Sequence, residues 1–194
     1  MIRLATALDA AEIAEIYGYY VDETPISFEE VSPSVEEMRR RIETTLPNNP
    51  WLVYCDSDGE QDRVVGYAYA YPHHIRAAYR WSVDIGMYLH HDYTGRGIGR
   101  RLYNVLLRIL QAQRYRTVVA GIALPNAASQ GLHDALGFTH IGTFPKIGYK
   151  FGQFRDVGYW TLRLPVEDEQ TLEEPIPFAE IADNFMGNLK AANG

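Results

Sequence analysis

The chain has 194 residues, 18 Lys and Arg against 25 Asp and Glu, a formal charge of −7 and 46 % hydrophobic residues. That describes one globular domain, with or without an appendage, large enough to bury a core without disulfides or metals. The single cysteine, Cys55, excludes an intrachain disulfide framework and any multi-cysteine zinc or iron–sulfur site. No apolar run approaches the roughly 20 residues that cross a bilayer, and residues 1–6 lack the apolar core of a secretory leader, so the expected location is the cytoplasm.

Asp9-x-x-Glu12 has capping-box spacing ahead of Ile13, Ile16, Tyr17 and Tyr20, and predicts a helix over 9–21. Ser34-x-x-Glu37, followed by Met38 and Ile42, predicts a second over 34–46, with 22–32 as a loop. Strands are predicted at 51–55, at 64–71 up to Pro72, and at 82–90, where Val83, Ile85, Met87 and Leu89 alternate with Asp84, Gly86, Tyr88 and His90. A helix over 98–113 carries the stripe Leu102, Leu106, Ile109 and Leu110. A strand at 118–124 stops at Pro125, a helix over 126–136 closes at Gly137, and two further strands fall near 139–144 and 156–164. This order predicts an α/β (α+β) domain over residues 1–165, its central sheet mixed but mostly antiparallel and flanked by helices.

The charge is unevenly spread. Residues 166–194 hold seven acids against one base, Lys190, and so carry −6 of the −7. They read as an acidic C-terminal tail, either a solubilising appendage or an arm that competes for a basic site. By contrast, Tyr93 to His133 contains six arginines and no acid, which predicts a local anion site. Its centre is Arg96-Gly97-Ile98-Gly99-Arg100, between a strand end and a helix start. Glycines there expose consecutive N–H groups, the helix dipole adds positive potential, and the arginines add forked donors, which together suit a pyrophosphate. The glycine spacing is not that of the dinucleotide fingerprint, and the Gly-Lys-Ser/Thr of the triphosphate loop is absent.

In this context the loop resembles the coenzyme A motif Gln/Arg-x-x-Gly-x-Gly/Ala of GNAT N-acetyltransferases, with Thr94 and Gly95 replacing the commoner residues before the Arg-Gly-x-Gly core. Within that superfamily the chain is similar to phosphinothricin and methionine sulfoximine N-acetyltransferases over about residues 1–164. The blocks that carry the similarity include Thr24-Pro-Ile-Ser-Phe-Glu29, Pro50-Trp-Leu-Val53, Val65-Gly-Tyr-Ala-Tyr-Ala70 and Arg76-x-x-Tyr79-Arg-Trp-Ser-Val-Asp84. Gly121-x-x-Leu124-Pro-Asn126, Leu132-His133, Gly148-Tyr-Lys150 and Asp156-Val-Gly-x-Trp160 complete the series.

The resemblance implies a GNAT-type fold, acetyl-CoA as co-substrate, a small amino-acid-like substrate and a homodimer. It implies Asp84 and His133 as catalytic residues; Asp84 stands where the family usually has Glu, shorter by about 1.5 Å. Coenzyme A contacts are expected from the backbone of Met87, Tyr88 and Leu89, from Arg96, Gly97, Ile98, Gly99 and Arg100, and from Asn126, also a helix N-cap. Arg76 and Arg80 are expected to meet substrate anions, Lys150 to add charge, and Tyr17, Phe28 and Tyr79 to wall the pocket. Another amine or protein substrate, or a coenzyme A-binding regulatory module, are the alternatives. His73-His74 and His90-His91 are not read as metal ligands, because strand neighbours point to opposite faces and no third ligand set is evident. Neither nucleic acid nor membrane is an expected partner.

Overall fold

The computed structural model describes residues 1–56, 62–165, 172–183 and 185. A seven-stranded sheet is built from β1 (Ile2–Leu4), β2 (Trp51–Asp56), β3 (Arg63–Pro72), β4 (Ser82–Leu89), β5 (Thr117–Leu124), β6 (Thr139–Lys150) and β7 (Gln153–Arg163). Their order across the sheet is β1-β2-β3-β4-β5-β7-β6. The β4–β5 pair is parallel and the other neighbours are antiparallel. Helices α1 (Ala10–Asp22) and α2 (Val35–Thr45) cover one face, packing Ile13, Ile16, Met38 and Ile42 on Trp51, Val53 and Tyr67. Helix α3 (Ile98–Ala112) covers the other, its stripe Leu102, Leu106, Ile109 and Leu110 set against Ala68, Val83 and Val118. Helix α4 (Ala127–Ala135) follows β5.

Three expectations need correction. The first capping box lies one turn earlier than Asp9-x-x-Glu12: Thr6 and Asp9 form it, and Asp9 also holds Arg3 in a two-pronged ion pair at 2.6 and 2.8 Å. Strand β1 was not predicted, because three residues are too few to show periodicity. Strand β6 continues past 144 to Lys150 through a bulge between Phe144 and Gly148, an irregularity that breaks the alternation on which the prediction rested.

The described part of the acidic tail is packed on the body. Phe178 is 1 % exposed within the core, a burial that stabilises by about 1.5–3 kcal/mol. Ile176 N donates to Gln113 O, Phe178 N donates to Asn48 O, and the Gln113 side-chain amide donates to the carbonyls of both Asn48 and Ile176. Residues 178–183 are helical. The tail acids Glu173 and Glu174 do meet arginines, but these are Arg114 and Arg80 rather than Arg96 or Arg100.

Candidate active site

Strands β4 and β5 pair only from Ser82–Asp84 to Thr117–Val119. Beyond that point β4 stays with β3 to Leu89, while β5 stays with β7 to Leu124. The two strands therefore splay apart, leaving facing edges whose backbone groups have no strand partner, though Leu89 O accepts from the Tyr20 hydroxyl at 2.6 Å. A groove of about 710 Å³ fills the split. Its walls include Gly86, Met87, Tyr88 and Leu89 of β4, Gly97 to Arg100, Asn126 and His133. A Cβ on Gly86 would lie 2.7 Å from the Tyr69 ring, so glycine is needed there; one on Gly99 would lie 2.8 Å from Met87 Cε, at the movable end of that side chain.

At one end of the groove, Gly95 and Gly97 take φ of 74° and 76°, the left-handed region that favours glycine. Nothing lies within 4 Å of where their side chains would be. This open concavity faces the first turn of α3, whose unpaired N–H groups and dipole favour an anion. The Arg96 guanidinium stacks over Tyr93 at 4.5 Å, and neither Arg96 nor Arg100 has a carboxylate partner among the described residues. Arg101 is turned away and donates to the Tyr54 hydroxyl at 3.2 Å. Asn126 caps α4 as expected, its side chain accepting from Ser129 N at 3.1 Å.

At the other end, where the strands part, lies Asp84. Its carboxylate is 14 % exposed and accepts a hydrogen bond from His73 Nδ1 at 2.9 Å. Burial pushes its pKa above the ordinary carboxylate value, and His73 opposes that rise. Tyr71, opposite Asp84 on β3, is pushed up to about 12 by burial and by the Asp84 charge, so it remains a neutral hydroxyl near pH 7. His133, 3 % exposed, donates from Nδ1 to Ser129 O at 2.7 Å. That bond fixes the tautomer with a bare Nε2, which has no partner among the described residues. Burial lowers the imidazole pKa and keeps the ring neutral.

The expected substrate-binding residues do not converge. Tyr17 walls a smaller chamber of about 240 Å³ with Trp51, Tyr69 and Tyr71, and its hydroxyl bonds Ser27 and Glu29. Phe28 lies on Gly148 of β6, where a Cβ would meet its ring. Arg76, Tyr79 and Arg80 line a third recess of about 430 Å³, which shares Tyr71 with the other two. Two expectations are corrected. Lys150 Nζ spends its three protons on the carbonyls of Val21, Ser27 and Glu29, so it ties the β6–β7 hairpin to the α1–α2 loop and has none left for a ligand. Arg80 is held by both oxygens of Glu174, at 2.6 and 2.8 Å.

Sequence reasoning does not find His73 as a site residue; the signal is its place just past the end of β3, whose register sets Tyr71 opposite Asp84. The first reason given against His90 and His91 as ligands does not hold either. The chain turns after β4 and their rings stack at 4.4 Å. His90 Nδ1 is occupied in accepting from Asp92 N.

A family model described as an acetyltransferase (GNAT) domain matches residues 2–157. Phosphinothricin N-acetyltransferase of Streptomyces viridochromogenes is 39 % identical over 159 residues, covering 82 % of this chain and 85 % of that protein. The L-methionine sulfoximine/L-methionine sulfone acetyltransferase of Pseudomonas aeruginosa is 33 % identical, covering 84 % and 94 %. Among solved structures, a GNAT superfamily phosphinothricin acetyltransferase from Sinorhizobium meliloti in complex with acetyl-CoA superposes with a TM-score of 0.83 at 34 % identity, covering 91 % of this chain and 92 % of that one. The family model over residues 2–157, together with relatives more than 30 % identical along most of the chain, places it in the GNAT acetyltransferase family.

Proposed function

We propose that the protein transfers the acetyl group of acetyl-CoA to the α-amino group of a small amino-acid-like substrate of the phosphinothricin or methionine sulfoximine type. The observation that carries this reading is the β4–β5 split, whose groove reaches the glycine loop and the start of α3, while Asp84, bonded to His73, stands where the two strands part, just outside the groove's lining. Arg96, Arg100 and the first turn of α3 would hold the pyrophosphate, and the free edges of β4 and β5 would pair with the pantetheine arm. When bound, acetyl-CoA supplies an activated acyl carbon as a thioester. Asp84 accepts a proton from the substrate ammonium, freeing the lone pair that attacks. A C–N bond forms, the C–S bond breaks, and the amine proton ends on the thiol. His133, with Nε2 bare, accepts a proton from the amine before it can return one to sulfur.

The chamber beside Tyr69 and Tyr71 supports an amino-acid side chain that ends in acceptor oxygens. Trp51 in its wall has an Nε1–H with no acceptor among the described residues, while Arg41, also in the lining, is already held by Glu29 and Glu37. Arg76, exposed and unpaired among the described residues, is assigned to the substrate carboxylate. A second copy of the chain is proposed against β6. This edge strand and its neighbour β7 leave Ile141, Phe144, Ile147, Tyr149 and Phe154 between 55 % and 63 % exposed, an apolar face that a partner would cover. No helix among the described residues is long and apolar enough to cross a membrane; the cytoplasm, which holds acetyl-CoA, is the proposed location. Thiol release from acetyl-CoA over phosphinothricin, methionine sulfoximine, methionine sulfone and the standard amino acids tests the reaction. Turnover with the oxo-acid analogues above the others is expected, and no release with any of them overturns the assignment.

A further inference from the structure

We propose that residues 172–178 form a strap that positions the His73–Asp84 pair, with Glu174 and Arg80 as positioning residues; the catalytic consequence rests on the reading of Asp84 as the base. His73 belongs to the connection between β3 and β4. Residues 74–80 of that connection are all exposed and place nothing in the core. What holds them comes from the far end of the chain. Glu174 grips Arg80 through both carboxylate oxygens, Trp81 Nε1 donates to Glu173 O at 2.8 Å, and the Arg80 guanidinium lies 3.8 Å over the Trp81 ring.

The hold is passed inward by contacts. Arg80 Nη1 donates to Ala77 O at 2.8 Å and fixes the single helical turn Ala77–Tyr79. The Tyr79 ring packs edge-on to His73, with centroids 5.8 Å apart, and tilted against His74 at 5.0 Å. His73 then donates to Asp84. The strap itself is anchored by Phe178, by the backbone bonds of Ile176 and Phe178, and by the Arg114–Glu173 ion pair. An exposed ion pair contributes little by itself. Here its two-pronged geometry orders a loop that lacks a core of its own, and a loop in several conformations would offer His73 to Asp84 for only part of the time.

Among the described residues, the titratable groups facing Asp84 are His73 from this loop and Tyr71 from β3, while β5 presents Val119. Tyr71 does not ionise in the acid range, so His73 is the group that counters the effect of burial on Asp84. With the strands that bury Asp84 left in place, a looser strap weakens the His73 hydrogen bond and is expected to raise the Asp84 pKa further.

The test uses the full chain, comparing wild type with Glu174→Gln and with the exchange Arg80→Glu/Glu174→Arg, each checked for an unchanged near-ultraviolet circular dichroism spectrum. Carboxyl carbon NMR follows the Asp84 titration, amide hydrogen exchange follows residues 73–81, and thiol release gives kcat against pH. In Glu174→Gln, exchange over 73–81 is expected to quicken several-fold. The Asp84 midpoint and the acid limb of kcat should move up together by about half a pH unit or more, with the KM for acetyl-CoA within about twofold. The charge exchange rebuilds the ion pair but not the Arg80 bond to Ala77 O, so it should bring all three part of the way back toward wild type. An Asp84 midpoint that stays where it is in Glu174→Gln overturns the proposal, whatever the exchange rates do. A midpoint that moves while the kcat profile does not leaves the strap's hold on Asp84 standing and overturns Asp84 as base.

Discussion

Strand β4 meets its two functional ends by different means. Beyond its C-terminal end, residues 93–100 build the proposed anion cradle from neighbours in sequence: two left-handed glycines, the start of α3 and two arginines without a carboxylate partner among the described residues. At its N-terminal end, Asp84 owes its environment to residues far away along the chain, to His73 and Tyr71 and, through Arg80, to Glu174. A local cradle binds by adding up donors and tolerates partial damage. An acid whose pKa is set by burial and a single hydrogen bond does not, because both terms act on the same proton.

The largest expected effect follows from that difference. Asp84→Asn keeps the size and burial of the side chain but removes the proposed base, and kcat should fall by about 10²–10⁴-fold with acetyl-CoA affinity unchanged. In the wild type, the Asp84 carboxylate must be ionised to accept a proton, and burial raises its pKa. Activity is therefore expected to be lost as pH falls through a value above the roughly 3.9 of a free Asp; an acid limb at or below that value would contradict a buried base. Next comes Phe178→Ala, which empties a site that is 1 % exposed and should cost about 3–5 kcal/mol in a denaturant titration. If the midpoint stayed put, residues 172–185 would be an appendage rather than part of the core.

Much of this was legible in the sequence. Helical spacing gave α2, α3 and α4, and the alternation from Val83 to Leu89 gave β4 with Asp84 and Gly86 on one face and Met87 on the other. The cradle could be read because its chemistry is contiguous: Gly95, Gly97 and Gly99 announce their backbone needs by type. His73 could not, because its meaning depends on the β3–β4 register and on a loop shaped from outside. The same holds for Lys150, whose charge suggested a ligand until the fold brought three carbonyls to it. Arg80 and Arg96 look alike as letters, and only one of them has a carboxylate from the described part of the tail within reach. The tail's acidity suggested solvent, yet the same stretch carries Ile176 and Phe178 at the spacing that docks it.

The arginines of the cradle allow a smaller and more discriminating test. Arg96→Ala/Arg100→Ala removes two charged donors, each contributing about 1.5–3 kcal/mol when it meets an anion, so calorimetry should show acetyl-CoA binding weakened by roughly a hundredfold or more. Saturated kcat should change little, since neither residue lies near Asp84. Arg101→Ala serves as the contrast. It sits in the same first turn of α3 and adds the same charge to the sequence, but its guanidinium points to Tyr54 on β2. If the cradle works through directed donors, Arg101→Ala should alter affinity by less than about twofold at 0.15 M salt, where charges more than a Debye length of about 8 Å apart are largely screened. If all three arginines matter equally, and the loss shrinks steeply with added salt, then the site gathers its anion through a general positive field. The left-handed glycines would then serve the turn into α3 and not the ligand.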